Sequence, residues 1–131
     1  MSRLLLDTTF LIDAERSQLN LDDVIDDEDD VAISAITVAE IQVGVELATG
    51  KTRHRRMELL NDVVALIPIL DYDLAVARAH AQLLVMVRRQ GRPRGAHDLI
   101  IAATALSSSR SLVTADEMAF VDLGIATISY R

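Results

Sequence analysis

The chain has 131 residues, with 20 acidic against 13 basic for a formal charge of −7, and no cysteine. That length favours one domain over 1–131 with a real core, and the missing thiols exclude disulfides and thiolate metal sites. No apolar run approaches the ~20 residues that cross a bilayer, and Asp7 and Asp13 interrupt any signal-peptide core, so a cytoplasmic protein free of membranes is expected.

Half of the residues are hydrophobic but only 3% are aromatic, so Leu, Ile, Val and Ala must build the core. Residues 3–7 (RLLLD) read as a short buried strand running into Asp7, followed by a helix over 8–16. The stretch 22–30 (DDVIDDEDD) is acidic at seven of nine positions and suggests a solvated helix end or loop. A second strand over 31–34 leads to a helix over 37–49, with Val38, Ile41, Val45 and Ala48 on one face and Gly50 as its stop. Helices over 52–65 and 72–90 flank a strand over 66–70, and the second ends at Gly91 before Pro93. The apolar segment 97–109 predicts a helix buried on more than one side, and strands follow over 111–114 and 125–129, with a short helix over 117–121 between them. Strands separated by helices argue for an α/β fold, a parallel sheet flanked by helices on both faces.

The acidic balance does not exclude a nucleic-acid partner. Outside 22–30 the chain carries thirteen acidic and thirteen basic residues, and twelve of the thirteen basic ones are arginine. Eight fall in two clusters, Lys51, Arg53, Arg55 and Arg56, then Arg88, Arg89, Arg92 and Arg94. Arginine suits bidentate phosphate contacts, although a solvated helix face would look the same. The second cluster, just before Asp98, is the candidate set for binding a nucleic-acid backbone.

In open parallel sheets ligands bind outside the carboxyl ends of the strands. That rule selects Asp7 after the first strand, Glu40 in the first turn after the second, Asp116 after 111–114, and Asp98 opening the buried helix. Each also has an ordinary explanation. Thr37 and Glu40 fit a capping box, Asp98 complements a helix dipole, and Asp7 and Asp116 can cap helices. Gathered together, however, carboxylates repel one another, and with no lysine nearby a divalent cation is the natural counter-charge. An all-oxygen pocket suits Mg²⁺ or Mn²⁺ rather than zinc.

The segments LLLDTTFLID, SAITVAEIQVGV, GAHDLIIAATAL and LVTADEMAF, in that order, resemble the PIN-domain proteins, and among them the VapC toxins of toxin–antitoxin pairs. The resemblance spans essentially the whole chain. It implies a metal-dependent endoribonuclease using Mg²⁺, with Mn²⁺ able to substitute, that acts on RNA and is neutralised by a small VapB-like antitoxin protein. It further implies that Asp7, Glu40, Asp98 and Asp116 form a metal-holding catalytic quartet, supported by the hydroxyls of Thr8 or Thr9 and of Thr114. A homodimer is expected from the resemblance together with the apolar surplus of so small a chain. The acidic 22–30 run is no part of the family pattern. A haloacid-dehalogenase-like phosphatase needs an aspartate at position 9, where this chain has Thr9, and a lysine after a late strand, whereas Lys51 is the only lysine. A phosphoreceiver domain fails on the same lysine. The remaining alternative is a PIN fold without activity, serving as a protein-binding module.

Overall fold

The computed structural model describes residues 1–16 and 24–130. Five strands form one fully parallel sheet: β1 (Arg3–Leu6), β2 (Asp30–Ser34), β3 (Ile69–Leu70), β4 (Ser111–Thr114) and β5 (Thr127–Ser129), in spatial order β3-β2-β1-β4-β5. Every parallel connection is a crossover, and helices supply most of them: α1 (Thr8–Glu15), α2 (Ala35–Leu47), α3 (Gly50–Leu66), α4 (Leu74–Gln90) and α5 (Ala96–Ser107). Only β4 and β5 are joined by a short 3₁₀ turn, Glu117–Phe120.

Strand side chains alternate between faces, and here both faces are covered. Leu4, Leu6, Ile33 and Val113 pack with Phe10, Leu11, Ile41, Val45, Leu60 and Val63 from α1, α2 and α3. Leu5, Ala32 and Leu112 pack on the other side with Val76, Ala79, Leu83 and the apolar residues of α5. The central strands are therefore apolar at successive positions, as strands buried on both sides must be. The expected α/β layering is observed.

Several boundaries differ from the sequence reading for local reasons. Helix α2 starts at Ala35, two residues before the expected 37, because Ser34 caps it, its Oγ accepting from Ile36 N at 3.3 Å. Thr37 is therefore inside the helix and fully buried, and the capping box of Thr37 with Glu40 does not exist. Glu40 lies in the second turn rather than the first. The strand expected over 66–70 shrinks to Ile69–Leu70, since α3 runs on to Leu66 and stops before Pro68, which cannot donate a helical hydrogen bond. Asp73 delays α4 to Leu74 by accepting from Val76 N at 2.9 Å. Of the acidic run, 22 and 23 lie outside the described residues, 24–29 are turn and loop, and Asp30 opens β2. Asp29 accepts from Ser2 N and Asp26 N, and these backbone donors, that of Asp26 first, hold its carboxyl below the ordinary value of 3.8.

The strand order reverses direction at β1. From β1 the chain adds β2 and β3 on one side, then crosses to add β4 and β5 on the other. Such a switch point opens a crevice at the carboxyl ends of the two central strands, here β1 and β4.

Candidate active site

Asp7 follows β1 directly and Asp116 follows β4 after one intervening residue, so these two carboxylates stand on either side of the crevice. Glu40 on α2 and Asp98 in the first turn of α5 complete its wall, together with Thr8, Thr9, Ile12, Ala119 and Phe120, around a cavity of about 280 Å³. Among the described residues, no lysine or arginine lines this cavity.

Hydroxyls and backbone amides hold the carboxylates in place. Asp7 is buried, at 4% exposure, and accepts three hydrogen bonds. Its Oδ1 caps α1 through Thr8 N at 2.8 Å, while Oδ2 accepts from Thr114 Oγ1 at 2.7 Å and Thr9 Oγ1 at 3.1 Å. Thr114 Oγ1 also accepts from Asp116 N at 3.0 Å, so one buried hydroxyl ties the carboxylate after β1 to the backbone after β4. Thr8 Oγ1 donates to Glu40 Oε1 at 2.8 Å and lies 3.1 Å from Thr37 Oγ1. Asp116 Oδ1 accepts from Ala119 N at 3.2 Å and thereby caps the 3₁₀ turn. Asp7 and Asp116 each cap a helix and each also line the cavity.

Asp98 reports the local field. Its pKa is raised above 3.8, first by burial and then by the charges of Asp7, Glu40 and Asp116, with His97 pulling the other way. His97 Nδ1 sits 3.6 Å from Glu40 Oε2 at the exposed rim. Among the described residues, no three of the carboxylates stand at the spacing of one ion's ligands; the four surround the cavity rather than meet at a point. Their chemistry nonetheless fits a hard divalent cation: the donors are oxygens, no lysine or arginine in the cavity lining neutralises them, and the carboxyl of Asp98, raised first by burial, is raised further by the charges of the other three.

The arginines divide. Arg88 and Arg89 end α4 with exposed side chains, and among the described residues neither has an ion-pair partner. Arg92 pairs with Asp122 at 3.3 Å. Arg94 departs most from its expected role, because its guanidinium donates to the carbonyls of Met118, Ala119 and Val121. In the earlier cluster, Arg53 and Arg55 face Glu46 and Glu15, and Arg56 donates to the Gly44 carbonyl, as expected of a solvated, internally paired face.

Two contributors to the site escape the sequence reading, which gives Thr37 only as a capping-box residue and does not single out Gly95. Thr37 shares the i, i+4 buried row with Ile41 and Val45, and a lone hydroxyl on an apolar helix row was the available signal. Gly95 caps α5, and a side chain there would bring its Cβ within 2.9 Å of Asp98 Oδ2; nothing in the sequence distinguishes it from the turn glycine Gly91, which has φ of 65°.

Comparison with known proteins agrees with this architecture. The PIN-domain family model matches residues 4–125. The chain is 35% identical over 138 residues to Toxin FitB of Neisseria gonorrhoeae, covering 96% of each. It is 33% identical over 94 residues to the tRNA(fMet)-specific endonuclease VapC of Shigella flexneri, covering 72% of this chain and 70% of that one. The solved structure of VapBC-5 from Mycobacterium tuberculosis, a toxin–antitoxin system, superimposes with a TM-score of 0.81 at 31% identity over 100% of this chain and 99% of the other. FitAcB of Neisseria gonorrhoeae superimposes with a TM-score of 0.80 at 35% identity, over 95% and 96%. By fold and sequence, the chain belongs to the PIN-domain family, among its VapC-type members.

Proposed function

We propose that the chain is a Mg²⁺- or Mn²⁺-dependent endoribonuclease of the VapC toxin type. The observation that carries this reading is the arrangement of Asp7, Glu40, Asp98 and Asp116 around one cavity without a lysine or arginine in its lining. The tRNA endonuclease and toxin names of the relatives support the substrate class and the role. A bound divalent ion supplies an acidified water as nucleophile and offsets charge on the phosphate oxygens. Asp7, Asp98 and Asp116, which line the cavity without standing at one ion's ligand spacing, would be drawn together to hold it, with Glu40 at the rim toward His97. Thr8, Thr9 and Thr114 orient those carboxylates through the bonds described above, and no protein nucleophile is required. Because the ribose 2′-hydroxyl does not attack, the products carry 5′-phosphate and 3′-hydroxyl ends.

The test is cleavage of RNA by wild type and Asp7→Asn with added Mg²⁺ or with EDTA. The amide is close in shape but neutral, so cleavage disappears while the fold remains. Activity in EDTA, or 2′,3′-cyclic product ends, refutes the mechanism, and a folded wild type that binds RNA or protein without cutting supports the binding-module alternative.

As partners we propose a VapB-like antitoxin and a second copy of the chain. Toxin–antitoxin neighbours that align over almost the whole chain support the first, and an acidic crevice is suited to capping by a basic side chain. The second rests on α4, whose Leu74, Leu84, Val85 and Met86 remain exposed.

A further inference from the structure

The sequence cluster of arginines contains one whose donors are already engaged. Arg94 Nη1 donates to the carbonyls of Met118 at 3.0 Å and Ala119 at 3.2 Å, and Nη2 to that of Val121 at 2.7 Å. Its Nε is buried without a hydrogen-bond partner among the described residues. All three carbonyls belong to the turn that begins at Asp116. That turn is held at its start by Thr114 and by the cap from Asp116 itself, and at its far end by the guanidinium. Gln90 and Arg92 add contacts along the same seam, to the carbonyl and carboxylate of Asp122.

On its other side Arg94 leads directly into α5. Gly95 caps that helix, accepting from Leu99 N at 3.1 Å, and packs so closely on Asp98 that a Cβ there would lie 2.9 Å from Oδ2. A displacement of Arg94 is therefore carried by one residue to the backbone against Asp98. The effect is geometric.

We propose that Arg94 is a positioning residue, a strut behind the cavity that fixes the Asp116 turn against the start of α5 and so sets the separation of Asp116 from Asp98. The inference deepens the ribonuclease reading and rests on it for the activity readouts, but not for the structural one. A phosphate-binding arginine and a strut differ in what they change. Losing a phosphate contact weakens RNA binding and flattens its salt dependence. Losing a strut leaves both in place and misplaces catalytic groups, for which shifts of about 1 Å can cost on the order of 100-fold in rate.

The experiment uses the full chain as Arg94→Ala and Arg94→Lys, with three measurements on each. Amide exchange over 116–121 reads the turn without any substrate; it should quicken by roughly tenfold or more in Arg94→Ala as local opening becomes easier. RNA binding across a salt series should keep the wild-type slope. Single-turnover cleavage at saturating RNA should fall by about 10- to 100-fold with KM little changed. Arg94→Lys keeps the charge, but one ammonium does not span three carbonyls, so it should restore folding stability better than rate. Unchanged exchange, a flattened salt slope with normal cleavage at saturation, or a lysine variant equal to wild type would each overturn the proposal. Loss of cooperative folding in both variants would overturn it too, by making Arg94 part of the general scaffold. Should wild type itself neither cut RNA nor bind Mn²⁺, the ribonuclease reading fails, while the exchange measurement still decides whether Arg94 holds the turn.

Discussion

Replacing Thr114 by valine should destabilise the protein and disable the site through a single atom. The hydroxyl is completely buried, donates to Asp7 Oδ2 at 2.7 Å and accepts from Asp116 N at 3.0 Å. Valine fills the same volume, so no cavity term enters, and only the two hydrogen bonds change. The bond to Asp7 is short and charge-assisted, a class whose loss costs about 1.5–3 kcal/mol, and stranding the Asp116 amide costs about 1–3 kcal/mol more. Asp7 retains Thr8 N and Thr9 Oγ1, which limits the total to about 2–4 kcal/mol. For a domain of this size 1 kcal/mol shifts the melting temperature by about 3–5 °C, so a fall near 10 °C is expected in EDTA at neutral pH. Thr114→Ser keeps both bonds and loses one methyl, and should fall by only about 1 kcal/mol. Cleavage should follow the same order, because valine frees Asp7 and Asp116 from their shared anchor. If the valine variant melts within a degree of wild type while serine is the weaker, the hydroxyl holds nothing and the reasoning fails.

Asp98 sets a pH dependence. Its raised pKa means that the folded chain keeps a proton that the unfolded chain releases near 3.8, so metal-free stability should decline as pH rises from that value through the raised one. Melting curves in EDTA across this window should show a shallower decline for Asp98→Asn; equal slopes would detach Asp98 from the cluster. Excess divalent metal reverses the effect in wild type, adding about 2.7 kcal/mol at a hundred times its dissociation constant, and should add much less to Asp98→Asn. The exposed pair Arg88 and Arg89, changed together to alanine, should weaken RNA binding and reduce the salt slope by roughly 0.7 per lost phosphate contact; an unchanged slope returns them to ordinary surface.

The layers of this fold were legible because burial on both faces leaves a mark no other environment leaves. Leu4, Leu5 and Leu6 in succession, cut short by Asp7, fit a short strand covered on two sides, and the carboxyl-end rule then selected Asp7, Glu40 and Asp116, with Asp98 chosen for its place at the start of the buried helix. All four reach one cavity. Capping was harder to read. Ser34 and Thr37 are both good caps, and only the packing of Thr37 beside Ile41 decides between them. The arginines were hardest, since Arg88 and Arg94 are alike in sequence and opposite in situation. One ends a helix in solvent; the other crosses to carbonyls 24 to 27 positions away, and long-range contacts of that kind leave no local periodicity.

What distinguishes this cavity is the kind of donor that holds its acids. Buried carboxylates require hydrogen-bond partners, and lysine or arginine would supply them at the expense of the negative charge. Here the partners of buried Asp7, half-buried Glu40 and exposed Asp116 include threonine hydroxyls and backbone amides, which fix the oxygens without cancelling their charge. The guanidinium of Arg94 is engaged by the carbonyls of Met118, Ala119 and Val121 rather than by the carboxylates, and His97, which offsets Asp98, stays at the rim beside Glu40. Repulsion is thus retained in the folded state, where it adds to burial in raising the pKa of Asp98, and is compensated by the apolar core that encloses β1 and β4. A site built this way has little use for a substrate that is itself an anion unless a cation stands between them. The phosphodiester reading and the divalent-metal reading are for that reason a single claim, and each experiment that separates Asp98 or Asp7 from the cluster tests both at once.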